Sequence, residues 1–139
     1  NPAENPGRSK GYFMKIEHFA LYVSDLEKMK DFYVKYFRAE AGDLYHNKNT
    51  GLKTYFLYFE EGARLEIMHR PGLKPNNLNE GLGYTHLAFS AGSKEAVDIL
   101  TRKLQKDGFK IISGPRITGD GYYESLAADP ENNLIEITQ

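Results

Sequence analysis

Cysteine is absent from this 139-residue chain. That one absence excludes disulfide scaffolds, thiol catalysis, Cys-ligated zinc and iron–sulfur clusters together. An excess of charge of either sign is lacking too, since 18 Lys and Arg stand against 19 Asp and Glu for a net charge of −1. Nucleic-acid binders usually carry a basic stripe, so this balance argues against a phosphate-binding surface and against nucleic acid as a partner. No uninterrupted apolar run approaches the ~18 residues of a transmembrane helix or resembles a secretory core. No membrane association is expected, and the cytoplasm is the default location. What is present is ordinary for a globular domain, with 40% apolar and 27% charged residues. The length is close to the ~150 residues of one domain and sufficient to bury a core.

The first thirteen residues hold two prolines and two glycines and show no periodicity, and Met14 then opens a strongly patterned stretch. Residues 1–13 are therefore expected to be a tag or a disordered extension, with a single domain at 14–139. From Lys15 the chain alternates as a strand does: Phe19, Leu21 and Val23 fall on one face, and Ile16, His18, Ala20 and Tyr22 on the other. Ser24 and Asp25 can cap a helix in which Met29, Phe32, Tyr33, Tyr36 and Phe37 recur at helical spacing as far as Arg38. Strands are expected at Glu40 to Tyr45, Lys53 to Phe59 and Arg64 to His69, separated by turn-like stretches at His46 to Gly51 and Glu60 to Gly62. A polar linker rich in Pro, Gly and Asn follows, at about 71–82.

The same order then recurs. Tyr84 to Ser90 alternates like the first strand, and Ser93 caps a helix with Val97, Leu100 and Leu104 on its apolar face, ending near Gly108. Strands near Phe109 to Ser113, Tyr122 to Ala128 and Leu134 to Thr138 complete the second half. The chain is a βαβββ unit written twice, one module at about 14–70 and the other at about 83–139. Two histidines and two glutamates follow the repeat: His18 to His86 is 68 residues, and Glu66 to Glu136 is 70. Within the halves the spacings are 48 residues from His18 to Glu66 and 50 from His86 to Glu136.

A lone strand histidine is usually a satisfied core or surface residue, and a glutamate between apolar neighbours usually faces water. Four such residues at matching places in two repeats carry more weight. Alternation sends their apolar neighbours to the core face, so all four project from the opposite face of the sheet. If the halves pair about a pseudo-twofold axis, two imidazoles and two carboxylates can converge as an N₂O₂ set, suited to a divalent transition metal, Zn, Ni, Co, Mn or Fe.

The chain from Met14 to Gln139 resembles the vicinal-oxygen-chelate superfamily, which contains glyoxalase I, extradiol dioxygenases, methylmalonyl-CoA epimerase and the fosfomycin- and bleomycin-resistance proteins. The cues are His18-Phe-Ala-Leu-Tyr-Val-Ser-Asp-Leu, Asp31-Phe-Tyr in the helix, Tyr84-Thr-His86-Leu-Ala-Phe, and the closing Asp129-Pro-Glu-Asn-Asn-Leu-Ile-Glu136. The resemblance implies an α+β fold of two tandem βαβββ modules whose curled mixed sheets surround a metal-binding cavity. The order His18, Glu66, His86, Glu136 resembles the ligand pattern of glyoxalase I within that superfamily. That likeness implies a lactoylglutathione lyase-like metalloenzyme moving a proton between adjacent carbons of a hemithioacetal through a metal-stabilised enediolate. Glu136 would be the general base and Glu66 a possible second acid or base. Chains of this kind usually form homodimers, with His18 and Glu66 of one chain opposite His86 and Glu136 of the other, or of the same chain if the modules pair internally. The alternative is a non-catalytic protein of the same fold that sequesters a small molecule, as antibiotic-resistance members do.

The glutathione-recognition pattern is where the chain departs. Bacterial glyoxalase I carries Arg four residues after its first His, where this chain has Tyr22, and Asn four residues after its first Glu, where this chain has Arg70. Losing the Arg removes a bidentate carboxylate clamp. A small oxygenated or thiol-adduct substrate is expected, with Tyr22, Arg70, Arg116 and Tyr123 as candidate substrate contacts and His69 beside Arg70 as a further cation. Asp120-Gly121 reads first as a hairpin turn, and the Asp129 to Asn133 run as a structural turn.

Overall fold

Each half of the chain builds its own sheet in the computed structural model, which describes residues 14–75 and 81–139. The proposed extension at 1–13 and part of the linker lie outside the described residues. The first half runs β1 (His18–Tyr22), α1 (Leu26–Phe37), β2 (Glu40–Ala41), β3 (Tyr45–His46), β4 (Lys53–Tyr58) and β5 (Arg64–His69). The second runs β6 (His86–Ser90), α2 (Lys94–Lys106), β7 (Ile111–Ile117), β8 (Tyr123–Ala128) and β9 (Leu134–Thr138). The sheet orders are β1-β5-β4-β2, with β3 also on β4, and β6-β9-β8-β7. In both, the last strand lies parallel to the first and antiparallel to its other neighbour. The fold is α+β with two mixed sheets.

Local chemistry sets the helix ends. The Asp25 carboxylate accepts the Lys28 N–H at 3.0 Å to start α1, and Arg38 closes it in the left-handed region at φ 57°. Ser93 accepts the Ala96 N–H at 3.1 Å to start α2, and Gly108, at φ 91°, lets the chain turn away after it. Leu26, Met29, Phe32, Tyr33, Tyr36 and Phe37 form the buried stripe of α1, and Val97, Thr101 and Leu104 that of α2. The Thr101 hydroxyl donates to the Val97 carbonyl at 2.7 Å and shares a 2.7 Å hydrogen bond with the Ser125 hydroxyl, which satisfies both buried groups.

Two strands depart from the sequence pattern. The expected strand from Glu40 to Tyr45 is divided into β2 and β3, and His46 belongs to β3 rather than to the following turn. Ala41 lies opposite Leu57 and Tyr45 opposite Thr54, so four steps on one side face three on the other. The slip is a bulge around Gly42, where an added Cβ would stand 3.3 Å from the Tyr58 ring. Strand β7 runs on to Ile117 instead of ending at Ser113, because register shifts on either side of Ser113 absorb Gly114-Pro115. Gly114 is at φ 85° and a Cβ there would meet the Glu124 carbonyl at 2.7 Å, so this crossing requires glycine.

Each helix covers one face of its own sheet, and the buried side chains of both halves form one cluster. The junction is aromatic and polar. Phe89 stacks on Phe37 with ring centroids 4.4 Å apart, and Phe109 meets Phe32 at 4.9 Å. The Tyr33 hydroxyl donates to Asp129 at 2.8 Å in the core, and burial pushes that hydroxyl well above its ordinary pKa, so it remains a donor. Asp129 also accepts the Glu131 N–H at 2.9 Å and the Asn133 N–H at 3.0 Å, which makes its turn structural, as the sequence suggests. The Glu131 carboxylate reaches the other half and accepts the Ser24 N–H at 2.6 Å and the Asp25 N–H at 2.9 Å. No helix among the described residues is long and apolar enough to cross a membrane.

Replacing Tyr33 by Phe deletes one hydrogen bond to a buried carboxylate at this junction. Hydrogen bonds to charged groups contribute about 1.5–3 kcal/mol, so Tyr33→Phe should lower the unfolding free energy in urea by that amount. A loss below about 0.5 kcal/mol, the scale of an ordinary surface substitution, would show that the Tyr33–Asp129 bond does not hold the halves together.

Candidate metal centre

The faces not covered by helices carry the candidate ligands. Along β1, His18, Ala20 and Tyr22 are exposed while Phe19 and Leu21 turn inward, as the alternation requires. Ala20 lies opposite Glu66 on β5, which in turn faces Phe56 on β4, so Glu66 is diagonal to His18 on the same face. The second sheet repeats this register: Ala88 lies opposite Glu136, which faces Leu126 on β8. His18 Nε2 stands 3.9 Å from Glu66 Oε1, and His86 Nε2 stands 3.0 Å from Glu136 Oε2. Two ligands each about 2.1 Å from a first-row metal lie roughly 3–3.4 Å apart. The second pair therefore has ligand spacing already, and the first is slightly wide.

The remaining imidazole nitrogens are also engaged. Thr85 Oγ1 lies 2.9 Å from His86 Nδ1, and Glu17 Oε1 lies 3.4 Å from His18 Nδ1. Arg64, the ladder partner of His18, grips Glu17: its Nε donates to Oε1 at 2.9 Å and its Nη2 to Oε2 at 3.0 Å. The guanidinium lies over the Phe56 ring at 4.0 Å, and Phe56 meets the His18 ring edge to face at 5.7 Å. The hydrogen bond from Arg64 holds the Glu17 carboxyl below its ordinary pKa.

The four candidate ligands form two pairs, one on each sheet. Among the described residues, no group of three His, Asp or Glu side chains is close enough to hold a metal ion. His18 and His86 both border a cleft of about 1470 Å³ between the halves, together with Tyr22, Arg70, Tyr84 and Glu131. Each sheet thus presents one candidate pair, of one nitrogen and one oxygen donor.

The family model of the Glyoxalase/Bleomycin resistance protein/Dioxygenase superfamily matches residues 15–137. The chain belongs to this superfamily. It is 30% identical over 127 residues to the uncharacterized protein YqjT of Bacillus subtilis, spanning 88% of this chain and 96% of that one. It is 29% identical over 128 residues to the uncharacterized protein PA2024 of Pseudomonas aeruginosa, spanning 88% and 86%. Its fold matches a glyoxalase I mutant from Zea mays with a TM-score of 0.76 at 21% identity, over 90% of this chain and 44% of the maize chain. The trypanothione-dependent glyoxalase I of Leishmania major matches with a TM-score of 0.74 at 18% identity, over 91% and 87%.

Other residues singled out in the sequence are distributed unevenly around this superfamily fold. Tyr22 is exposed on the face of His18, and the Arg70 guanidinium lies over its ring at 5.4 Å. Arg116 faces Glu124 across β7 and β8. Tyr123 points the other way, its hydroxyl donating to Asp98 on α2 and Lys94 lying over its ring, so it is turned to the helix side rather than to Glu136. His69 is occupied by the Val23 carbonyl at 2.7 Å from its Nδ1. Asp120-Gly121 forms the expected turn, with the Gly121 N–H donating to the Thr118 carbonyl at 3.0 Å.

Sequence reasoning passed over Glu17, Arg64 and Glu124. Glu124 shares the face of Glu136, and a hydrogen bond between the two carboxyls, then burial, then repulsion from Glu136, pushes Glu124 up to about 7. Its place two residues before Leu126 on an alternating strand was the signal available. Since 4.5 is the ordinary value, the folded protein holds this proton more tightly than the unfolded chain does. The associated stability is complete below about 4.5 and is lost as pH rises through about 7. With chelator present, the stability difference between wild type and Glu124→Gln should fall over that window in urea titrations. A difference that stays flat across it would mean the carboxyls do not share a proton.

Proposed function

We propose that the protein is a divalent-metal-dependent lyase or isomerase of the glyoxalase I type, acting on a small oxygenated or thiol-adduct substrate. The observation that carries this reading is the repeated register, which sets a histidine diagonal to a glutamate on the helix-free face of both sheets. His18, Glu66, His86 and Glu136 would hold the metal. Because the two pairs lie on separate sheets of one chain, the full set is completed by a second copy, His18 and Glu66 of one protomer meeting His86 and Glu136 of its partner. A bound divalent transition metal supplies a Lewis acid against the negative charge that builds on a substrate oxygen.

The chain's own residues do the rest. Glu136 takes the proton from one carbon of the substrate and returns it to the adjacent carbon, so the reaction is a net isomerisation with no proton gained or lost. Glu66 stands at the equivalent place on the other sheet as a second acid or base. Arg70 and Tyr22 border the cleft as a stacked pair that suits a planar anionic group on the substrate. The guanidinium that bacterial glyoxalase I projects from its first strand comes here from the end of β5, which favours a substrate other than the glutathione adduct.

Elemental analysis of protein purified without added metal should find about one equivalent of divalent transition metal per chain, reduced in Glu66→Gln. Pairing across chains has its own test. His18→Ala/Glu66→Ala and His86→Ala/Glu136→Ala variants each lose both sites, but their mixed dimer retains one intact site and should recover about half the metal. No uptake by wild type after reloading with Ni²⁺, Zn²⁺ or Co²⁺ would overturn the metalloenzyme reading and leave a small-molecule-binding protein of the same fold. Uptake by wild type with none in the mixed dimer would place each site within one chain.

A further inference from the structure

The two half-sites share a register but not their surroundings. In the second sheet the residue before the histidine is Thr85, and the ladder partner of the histidine is Leu134. In the first sheet those two places hold Glu17 and Arg64, and the side chains are joined by a two-pronged ion pair. A threonine hydroxyl donates or accepts, so Thr85 does not itself dictate the tautomer of His86, whose Nε2 faces the Glu136 carboxylate at 3.0 Å. A carboxylate accepts only, and Glu17 Oε1, 3.4 Å from Nδ1, stands nearer the His18 ring than Glu66 Oε1, 3.9 Å from Nε2, which favours the hydrogen on Nδ1. Nδ1 faces Glu17, and Nε2 faces Glu66.

We propose that Glu17, anchored by Arg64, is the positioning residue of the first half-site: it keeps the His18 hydrogen on Nδ1 and leaves the Nε2 lone pair, on the side of Glu66, free for a metal. The inference rests on the metal-centre reading for its purpose, though not for its geometry. Three features support a built arrangement. Arg64 is itself immobilised, lying over Phe56 at 4.0 Å and donating to the Tyr58 hydroxyl at 3.4 Å. Phe56 packs edge to face against the His18 ring and limits its rotation. The arrangement also occurs in the half whose His–Glu separation is the wider, 3.9 Å against 3.0 Å, where the carboxylate of the pair orients the imidazole least. An anionic acceptor behind a ligating imidazole strengthens its other nitrogen as a donor, and losing such a partner typically costs 10–100-fold in metal affinity.

Long-range ¹H–¹⁵N correlation spectra of histidine-labelled, chelator-treated protein, recorded above the imidazole titration range, report each tautomer directly. Wild type should show His18 with its hydrogen on Nδ1. Glu17→Ala should shift His18 toward the Nε2–H form, Glu17→Gln, which keeps an acceptor oxygen, should shift it less, and His86 should be unchanged in both. Arg64→Met should give a smaller shift in the same direction. Titration with Co²⁺, followed by its absorption spectrum, should then show affinity weakened about tenfold in Glu17→Ala and less in Glu17→Gln. An unchanged His18 tautomer in Glu17→Ala overturns the inference whatever the metal does. A changed tautomer with unchanged Co²⁺ affinity overturns its purpose. A changed tautomer in a wild type that binds no Co²⁺ upholds the positioning of His18 and defeats the metal-centre reading instead.

Discussion

The candidate site depends on the two-residue period of the pleat, applied to a first strand lying parallel to a last strand. Leu65 and Ile67 on β5, and Ile135 and Ile137 on β9, are almost wholly buried beneath the helices. Burying four such side chains at about 1.5–3 kcal/mol each pins the register, since a slip of one residue would turn all of them to solvent. The glutamates between them are thereby forced to the opposite face. Glu66 and Glu136 reach the helix-free surface because their neighbours are needed in the core, and the same argument carries His18 and His86 outward through Phe19, Leu21, Leu87 and Phe89. The placement of both His–Glu pairs on one face is a by-product of core formation.

The halves that share this constraint have diverged around it. In the first, an ion pair stands behind the histidine: Arg64 grips Glu17, and the His18 ring is held on three sides by Glu17, Phe56 and Glu66. In the second, negative charge accumulates: Glu124 stands beside Glu136, with Arg116 as the nearby compensating charge, and His86 is backed by a neutral hydroxyl. These surroundings suit different tasks. A fixed imidazole with an anion behind it makes a durable ligand, whereas in the second half Glu124, the carboxyl beside Glu136, is pushed up to about 7. On the proposed function, this is a physical reason for the base to be Glu136, the carboxylate with an acidic neighbour, rather than Glu66.

What could be read in the sequence and what could not divide along the range of the interactions. Alternation in β1 and β6, the caps at Asp25 and Ser93 and the stripes of both helices are local, and they appear where the pattern places them. The repeat made the diagonal pairing of His and Glu legible as well, because equal spacings in two halves imply equal registers. The bulges were harder. Gly42 and Gly114 are visible as residues, but the slip each produces depends on which backbone lies across from it, Tyr58 and Phe56 in one case and Glu124 in the other. Glu17 and Arg64 are 47 positions apart and look like two surface charges until β1 and β5 are paired. Tyr123 is hard to place for the opposite reason: its neighbours suggest a cavity wall, whereas its parity with the buried Ser125 and Ala127 turns it to α2.

The cleft between the halves links this arrangement to selectivity. Its rim combines histidines that project from the sheets with an arginine whose guanidinium lies over a tyrosine ring at 5.4 Å. An extended, mobile arginine could follow a long flexible anion, but one stacked on Tyr22 and donating to the Pro71 carbonyl has spent part of its freedom and part of its donor set. On the proposed function, such a group would discriminate by position as well as by charge. Tyr22 stands four residues along β1 from His18, about 13 Å away at ~3.3 Å per residue. On the proposed function, a substrate held at both places would lie along the strand, its anionic group at Arg70 and its reacting end beside the histidine.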